Sequence, residues 1–204
     1  MDAKIPFGTD LWTSLNMEHP LRGEARDSGA VLVHKSIGGT DWWRTTERHS
    51  MDGPTLGFWH EGGDGFEVSA EICVNPKTQY DQATLFLYIS PTQWVKAGIE
   101  FDADALWNGA VVCNPYSDWS IAKRRPEDSA RYTIAYTHNE VKVYLGNDMI
   151  REVKWFGATR SNDATFGEAL PGKVFVGIMA CSPKDGGAEV SWKNFTFRQG
   201  VRAR

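Results

Sequence analysis

The side chains best suited to chemistry lie close together in one short segment, QWVKAGIE (93–100). Read as a strand, it presents Trp94, Lys96 and Glu100 on one face, around Gly98. The opposite face is aliphatic and carries Val95, Ala97 and Ile99. An ammonium and a carboxylate on one surface can act as acid and base, and an indole offers a flat surface for stacking. Lys96 and Glu100 are about 13 Å apart along such a strand, so each needs a partner on a neighbouring strand or on a ligand.

The preceding segment, ATLFLYIS (83–90), also alternates and is joined to the first by Pro91-Thr92. The two segments are predicted to pair as an antiparallel hairpin. Their aliphatic sets should face the core together, because burying one Leu contributes roughly 1.5–3 kcal/mol. Phe86 and Tyr88 would then share the face of Trp94, Lys96 and Glu100. A face this aromatic is expected to be covered by another layer or to line a groove.

The rest of the chain shows the same alternation of apolar and polar residues. About ten alternating segments are separated by turn-like breaks, of which THNE (137–140) and LGND (145–148) are typical of tight hairpin turns. This pattern predicts an all-β protein, a sandwich or barrel formed by one domain over residues 1–204. Short helices are expected only at WTSLNMEHP (12–20) and DATFGEAL (163–170).

The bulk composition is that of a soluble globular protein and narrows the classes of partner. The 204 residues carry a net charge of −4 with scattered Lys and Arg, which argues against nucleic-acid binding. No apolar run is long enough for a membrane span, and no secretory leader is recognisable. The histidines lack metal spacing, so we expect neither a metal nor a cofactor. Three cysteines, each in an apolar run, indicate buried free thiols and a cytoplasmic protein.

Further polar and aromatic residues are candidates for ligand contacts. Asp81-Gln82 begins the ATLFLYIS strand, and Asp118-Trp119 follows a turn. Each is either a structural feature or the rim of a site, where an acceptor and an indole suit sugars and aromatic ligands. Trp42 and Trp43 should lie on opposite faces of an extended segment, one in the core and the other at a groove. The candidates for ligand binding are therefore Trp42, Arg44, Asp81, Gln82, Tyr88, Trp94, Lys96, Glu100 and Trp119.

Arg44 could pair with Glu100, Asp81 or an anionic ligand, and a structural ion pair is the alternative. His60 is a candidate general base if the protein is an enzyme. The catalytic candidates are therefore Glu100, Lys96, Asp118 and His60.

Four segments carry a resemblance to a known family: TDWWRTT (40–46), YDQATLFLYISPTQWVKAGIEF (80–101), YSDWS (116–120) and VGIMACSP (176–183). In this order they resemble the fungal and bacterial family of concanavalin A-like jelly-roll domains that includes a yeast regulator of enolase. That family is similar in fold to the C-terminal module of some β-xylosidases. The resemblance implies an all-β jelly-roll sandwich of two antiparallel sheets. It also implies that Trp94, Lys96 and Glu100 are usual at their positions, but it carries no agreed chemistry.

The segment Glu67-x-Ser69-x-Glu71 resembles the Glu-x-Asp-x-Glu strand of laminarinase-like jelly-roll enzymes, but its middle residue is Ser. A solvated outer face is therefore the preferred interpretation. The leading hypothesis is an intracellular binding or regulatory module whose concave aromatic face holds a small molecule or carbohydrate, or docks a protein partner. The alternatives are an isomerase, cyclase or lyase with inconspicuous machinery, and a glycoside hydrolase that uses Glu100 with Asp118 or Asp81.

Overall fold

The computed structural model describes residues 3–61, 65–137, 140–154, 156 and 172–200, together with the backbone of 159–160 and 166–167. Within these residues the chain forms two antiparallel sheets packed face to face. The long strands owe their place to the period-two alternation of apolar and polar residues, which gives each of them a face to bury.

The larger sheet has eight strands. It runs β14–β13–β12–β7–β18–β3–β2, with β1 also paired to β18. The strands are β1 (Ala3–Lys4), β2 (Glu24–Arg26), β3 (Val31–Lys35), β7 (Phe66–Asn75), β12 (Arg131–Thr137), β13 (Glu140–Leu145), β14 (Asp148–Lys154) and β18 (Glu189–Gln199).

The smaller sheet has six strands in the order β11–β10–β9–β8–β17–β6. They are β6 (Thr55–Glu61), β8 (Gln82–Ser90), β9 (Gln93–Asp102), β10 (Ala105–Cys113), β11 (Ser117–Lys123) and β17 (Lys173–Cys181). Two separate pairs complete the described strands: β4 (Trp42–Arg44) with β5 (His49–Met51), and β15 (Thr159–Arg160) with β16 (Phe166–Gly167).

The main core lies between the two sheets and confirms the predicted strand faces. Val95, Ala97 and Ile99 of β9 are buried there, beside Leu85 and Leu87 of β8. The predicted β8–β9 hairpin is present, with Leu85 opposite Ala97 and Phe86 opposite Lys96. The side chains of Phe86, Trp94 and Lys96 therefore point to the other face of the smaller sheet, which we call the outer face.

The predicted hairpins at 137–140 and 145–148 are also formed, since Thr137 pairs with Glu140 and Leu145 with Asp148; residues 138–139 lie outside the described residues. The prediction of a helix at 12–20 was wrong. This stretch is irregular and forms only one β-bridge, from Thr13 to Gly57. The helix expected at 163–170 lies mostly outside the described residues, and the described pair 166–167 is a strand. One short 3₁₀ turn, Asp27–Gly29, is the only helical segment in the described part.

Candidate ligand-binding groove

The outer face of the smaller sheet is divided into a sealed half and an open half. The sealed half is a second hydrophobic core, which we call the outer cluster. It consists of Trp42, Phe86, Trp94, Val111, Cys113, Phe175, Met179 and Cys181. Phe86 and Trp94 are fully buried in it. The sequence predicted either a covering layer or a groove on this face, and the structure has both.

The covering layer is the β4–β5 hairpin, and Trp42 is its main contact with the sheet. Its ring lies 4.7 Å from that of Phe86 and 5.6 Å from that of Trp94. Its indole N–H donates to the carbonyl of Gly53 at 2.9 Å, so the polar atom is satisfied inside the layer. Trp42 and Trp94 were candidates for ligand contact. The structure instead packs both into the outer cluster, and the neighbouring Trp43 is the tryptophan that faces the groove.

The open half is a groove of about 260 Å³ between the hairpin, the β8–β9–β10 strands and the edge strand β11. Its lining combines aromatic rings with ionisable and amide side chains. The lining residues are Asp41, Trp43, Arg48, Tyr80, Gln82, Lys96, Glu100, Val111, Trp119 and Pro183. Of the predicted ligand-binding residues, Gln82, Lys96, Glu100 and Trp119 are thus brought together.

The floor of the groove is open because small residues stand side by side on three strands. Gly98 of β9 is paired with Thr84 of β8 on one side and with Gly109 of β10 on the other. All three line a shallow extension of the groove beneath Glu100 and Trp119. A Cβ on Gly98 would lie 2.2 Å from the carbonyl oxygen of Ala83, so no larger residue fits there.

Lys96 lies at the boundary between the sealed and open halves and is neutralised by Asp41. Its Nζ is 3.3 Å from Asp41 Oδ1, and only 3% of its side chain is exposed. Asp41 Oδ2 also binds the exposed Arg48 at 3.1 Å. Burial lowers the pKa of Lys96, but the negative charges of Asp41 and Glu100 more than offset this, so its pKa is raised and it carries a full charge.

Cys181 of the outer cluster also contacts Asp41. Its Sγ lies 3.7 Å from Asp41 Oδ1 and donates its proton to it. Burial raises the pKa of this thiol, so it stays protonated and does not compete with Asp41 for the charge of Lys96. The sequence did not point to Asp41, because its role depends on how the hairpin folds over the sheet.

Glu100 lies in the groove without a partner among the described residues. Its carboxyl forms no hydrogen bond and no ion pair with any other described residue. Burial raises the pKa of Glu100 to about 7, and the nearby charge of Lys96 only partly opposes this. At neutral pH the group is therefore poised between an acid that can donate and a carboxylate that can accept.

Other buried polar atoms in the groove also lack partners among the described residues. They are Gln82 Oε1, Thr84 Oγ1 and Trp119 Nε1. Gln82 is 2% exposed, and its amide nitrogen donates to the carbonyl of Tyr80 at 3.1 Å. Each of these atoms is shut off from solvent, as are unpartnered atoms elsewhere in the described residues, such as Trp94 Nε1 in the outer cluster.

Tyr80 forms one wall of the groove and has an unusual backbone, with φ of 72°. A non-glycine residue in this region costs on the order of 1–3 kcal/mol and persists only where its surroundings hold it. Here Asp81 does so. Its carboxylate accepts hydrogen bonds from the backbone N–H of Lys77 and of Thr78, at 2.7 and 2.8 Å.

Asp81 was a candidate for ligand contact, but its carboxylate is turned inward. The residue is fully buried, and Ser182 Oγ donates to Asp81 Oδ1 at 2.5 Å. It positions the turn that presents Tyr80 and does not line the groove. Alternation along β8 explains this, because Asp81 and Gln82 are consecutive and point in opposite directions.

Asp118 was a candidate catalytic residue, but it also points away from the groove. Its neighbour Trp119 lies opposite Val111 on the groove side, whereas Asp118 lies opposite Val112, a residue of the main core side. The Asp118 carboxylate is 67% exposed and binds Arg151 of β14 at 2.8 Å, which links the edges of the two sheets. The predicted hydrolase pairs of Glu100 with Asp118 or Asp81 are therefore not assembled.

His60, Arg44 and Tyr88 also lie outside the groove. The His60 ring packs edge-on against Phe66 and Phe197, on the main-core side of β6. Arg44 contacts neither Glu100 nor Asp81, and its guanidinium instead lies over Tyr116 at 5.9 Å. Tyr88 packs against Trp42 and Trp59 beside the outer cluster.

The Glu67–Ser69–Glu71 segment lies on β7, in the larger sheet. Its alternate residues Phe66, Val68 and Ala70 fill the main core, so the carboxylates point outward. Glu67 binds Arg198, and Glu71 accepts from Asn194 at 3.2 Å. The segment therefore lies on the outer surface of the larger sheet, on the opposite side of the molecule from the groove, but only Glu71 is well solvated, since the Glu67 side chain is 11% exposed.

The described residues contain no group of three or more His, Cys, Asp or Glu side chains arranged to hold a metal ion. Over the same residues, no helix reaches the length and apolarity required to span a membrane.

The family is decided by a match that covers most of the chain. A family described as "Protein of unknown function (DUF1349)" matches residues 17–200. The chain belongs to this family. Regulation of enolase protein 1 from Saccharomyces cerevisiae is 28% identical over 165 residues, which cover 78% of this chain and 76% of the relative.

Solved structures agree on the architecture. A functionally unknown protein from Saccharomyces cerevisiae superposes with a TM-score of 0.72 at 22% identity, over 94% of this chain and 98% of the other. A xylan β-1,4-xylosidase from Bacillus halodurans gives 0.63 at 10% identity, over 96% of this chain but only 38% of the enzyme. At these identities the likeness shows the fold alone. It confirms the predicted jelly-roll β-sandwich, and the family match over residues 17–200 confirms the predicted family.

Proposed function

We propose that this DUF1349 protein is a ligand-binding module that holds a small polar molecule in the groove, as part of a regulatory role. The observation that carries the proposal is the groove itself, which holds the Glu100 carboxyl, without a partner among the described residues, beside the Lys96 ammonium. A desolvated carboxyl costs free energy in the fold unless something binds it. Trp43 and Trp119 supply the aromatic walls on which a flat or ring-shaped ligand can stack.

A thermal-shift screen against sugars and small metabolites tests this proposal. A ligand that stabilises the wild type should stabilise Glu100→Gln less, because the variant lacks the carboxyl that faces the groove. The matched control is Glu47→Gln, a carboxylate on the exposed turn of the β4–β5 hairpin, which should respond as the wild type does. If every compound that binds shifts Glu100→Gln as much as the wild type, the groove is not the binding site.

The regulatory part of the proposal concerns a protein partner in the cytoplasm. It is supported by the name of the yeast relative, which refers to the regulation of enolase. Three free thiols, two of them buried, fit a reducing compartment. Sedimentation of the purified protein with enolase, with and without groove ligand, tests the partner. Independent sedimentation under all conditions would remove enolase from the proposal.

A second candidate function is catalysis of proton transfer, as in an isomerase, cyclase or lyase. It is favoured by one observation, the pKa of about 7 of Glu100 in a groove that also contains the Lys96 ammonium. Glu100 would remove a proton next to a carbonyl group, and Lys96 would stabilise the resulting oxyanion. Incubating glyceraldehyde and xylose in deuterated water tests for this activity. Incorporation of deuterium by the wild type and not by Glu100→Gln would establish it.

A further inference from the structure

The charges that line the groove do not cancel, and this bears on the class of its ligand, on the premise that the groove is a binding site as proposed above. Lys96 and Arg48 each carry a positive charge, and they share the single carboxylate of Asp41, at 3.3 and 3.1 Å. Glu100 is the second carboxyl of the lining. Among these residues one positive charge is therefore in excess while Glu100 is protonated, and none while it is ionised.

Arg48 is the cation that a ligand can reach. Its side chain is 51% exposed, whereas that of Lys96 is 3% exposed and acts on a ligand through its charge. A guanidinium has five N–H groups. The described residues engage two of those of Arg48, through Asp41 at 3.1 Å and Ser50 at 3.2 Å. The others are available to a planar acceptor with two oxygens, and a carboxylate is such an acceptor.

Glu100 determines whether the groove accepts an anion. It is partly exposed and lines the cavity, and its pKa of about 7 leaves both protonation states populated at neutral pH. The protonated carboxyl can donate a hydrogen bond to a ligand oxygen. The ionised carboxyl repels an anion held in the same small cavity. An anionic ligand therefore binds together with a proton on Glu100.

The titratable and charged groups around Glu100 come from four parts of the fold. They are Asp41 and Arg48 of the β4–β5 hairpin, Lys96 and Asp102 of β9, the phenol of Tyr80 before β8, and the thiol of Cys181 on β17. The residues that β10 and β11 contribute to the lining are uncharged. Asp102 lies outside the lining and accepts from Gln79 at 2.7 Å, and its charge further favours the protonated form of Glu100.

We infer that the ligand is a monocarboxylate built on a single ring, bound through its carboxylate to Arg48 and through another oxygen to the protonated Glu100. Its ring packs against Trp43 and Trp119, which line the groove. One carboxylate matches the single charge in excess, whereas a dianion exceeds it and a cation is repelled by Arg48 and Lys96. The volume of about 260 Å³ is just below the roughly 300–1,000 Å³ of sites for drug-sized ligands, which fits one ring.

Calorimetric titration with matched compounds tests the inference. Glucuronate, galacturonate and benzoate are the carboxylates, and glucose, galactose and benzamide are their neutral counterparts. Glucosamine supplies a cation, and glucose-6-phosphate supplies a dianion. At about pH 6 we expect at least one carboxylate to bind roughly tenfold more tightly than its neutral counterpart, or better, because a charge-assisted pair is gained.

Arg48→Gln should remove this preference. It should weaken the carboxylate about tenfold and the neutral counterpart less than about twofold, because only the carboxylate uses the charge of the guanidinium. The matched control is Arg26→Gln. Arg26 is also an exposed arginine paired with one carboxylate, that of Glu24, but it lies on the larger sheet. This variant should bind as the wild type does.

The affinity for the carboxylate should fall as pH rises through about 7, by about tenfold between about pH 6 and about pH 8.5, because Glu100 must keep its proton. The neutral counterpart should bind equally well across this range. Glu100→Gln should bind the carboxylate about threefold more weakly at about pH 6, since an amide N–H is a weaker donor than a carboxylic acid. Its affinity should not change with pH.

A neutral, cationic or doubly charged probe that binds at least as tightly as the carboxylates, and is weakened by Trp43→Ala, would overturn the ligand class while the groove remains a binding site. A preference for carboxylates that Arg48→Gln leaves intact would overturn the role of Arg48. An affinity that does not change with pH in the wild type would overturn that of Glu100. If no probe binds, the ligand class is wrong, and the proposed function is then decided by the wider thermal-shift screen.

Discussion

The sealed and open halves of the outer face lie on neighbouring strands of the smaller sheet but differ in what covers them. Above Phe86 and Trp94 the β4–β5 hairpin seals the sheet with Trp42, and the result is a dry second core. Above Thr84, Gly98 and Glu100 no side chain fills the space, and the Glu100 carboxyl is desolvated without a partner among the described residues. The sealed half therefore contributes hydrophobic packing, whereas the open half holds an ionisable group whose burial is unfavourable for the fold.

The largest effect is expected from opening the sealed half. Trp42→Ala should lower the free energy of unfolding by about 3–5 kcal/mol, because a large buried ring and its contacts with Phe86 and Trp94 are lost. Chemical denaturation followed by circular dichroism measures this. Trp59→Ala, at an exposed site, is the control and should cost far less. A loss below about 1 kcal/mol for Trp42→Ala would mean that the hairpin is not a structural seal.

The boundary between the halves should be nearly as sensitive, through its charge. Asp41→Asn keeps the shape but leaves the buried Lys96 ammonium without its partner, so stability should fall by about 3 kcal/mol. Adding Lys96→Met should recover most of the loss, because the buried charge is then removed as well. A double-mutant cycle from denaturation curves checks the coupling. Additive losses would show that the two residues do not act as a pair.

The open half should respond to pH through Glu100. Its pKa is raised to about 7, so the native state binds this proton more tightly than the unfolded chain does. The stability it contributes is therefore complete below the unfolded pKa of about 4.3 and is lost as pH rises through about 7. Glu100→Gln removes this titration and should be more stable than the wild type by about 1–3 kcal/mol near pH 8. Melting curves from about pH 3.5 to about pH 8 measure the difference, which should be smallest at the acid end, below the unfolded pKa.

The control for this pH series is Glu47→Gln, on an exposed turn, which should follow the wild type throughout. If Glu100→Gln and the wild type keep a constant difference across the series, the carboxyl does not titrate in this range, and the interpretation of the groove as a desolvated site fails.

The smallest effect on stability should come from the groove wall. Trp43→Ala should cost no more than about 1 kcal/mol, because the ring is only partly buried and faces the groove. The same change should remove most of the binding of any groove ligand, since a stacking surface is lost. Denaturation and calorimetry on the same preparation separate the two effects. A large loss of stability with unchanged binding would place Trp43 in the sealed half instead.

The fold could be predicted further from the sequence than the site could. Period-two alternation placed Val95, Ala97 and Ile99 in the core, and it placed Lys96 and Glu100 on the outer face. The same rule could have excluded Asp118 and Asp81, since each precedes a residue that faces the groove.

Alternation does not show which of two adjacent tryptophans turns inward, so Trp42 was predicted at the site where Trp43 is found. Nor does it show that Asp41 reaches Lys96 across 55 residues of chain. Both depend on how the β4–β5 hairpin packs on the sheet. Those contacts are tertiary and therefore cannot be predicted from the local sequence.

The most direct test of the two-halves account is a titration followed by nuclear magnetic resonance of the tryptophan indole N–H groups. The protein, labelled with nitrogen-15, is titrated with glucose, galactose and xylose as representative sugars, and the indole signals are assigned by single Trp→Phe variants. The account predicts that Trp43 and Trp119 shift with ligand, while Trp42, Trp94 and Trp59 stay in place. Shifts at Trp59 without shifts at Trp119, or no shift at any sugar concentration, would contradict it.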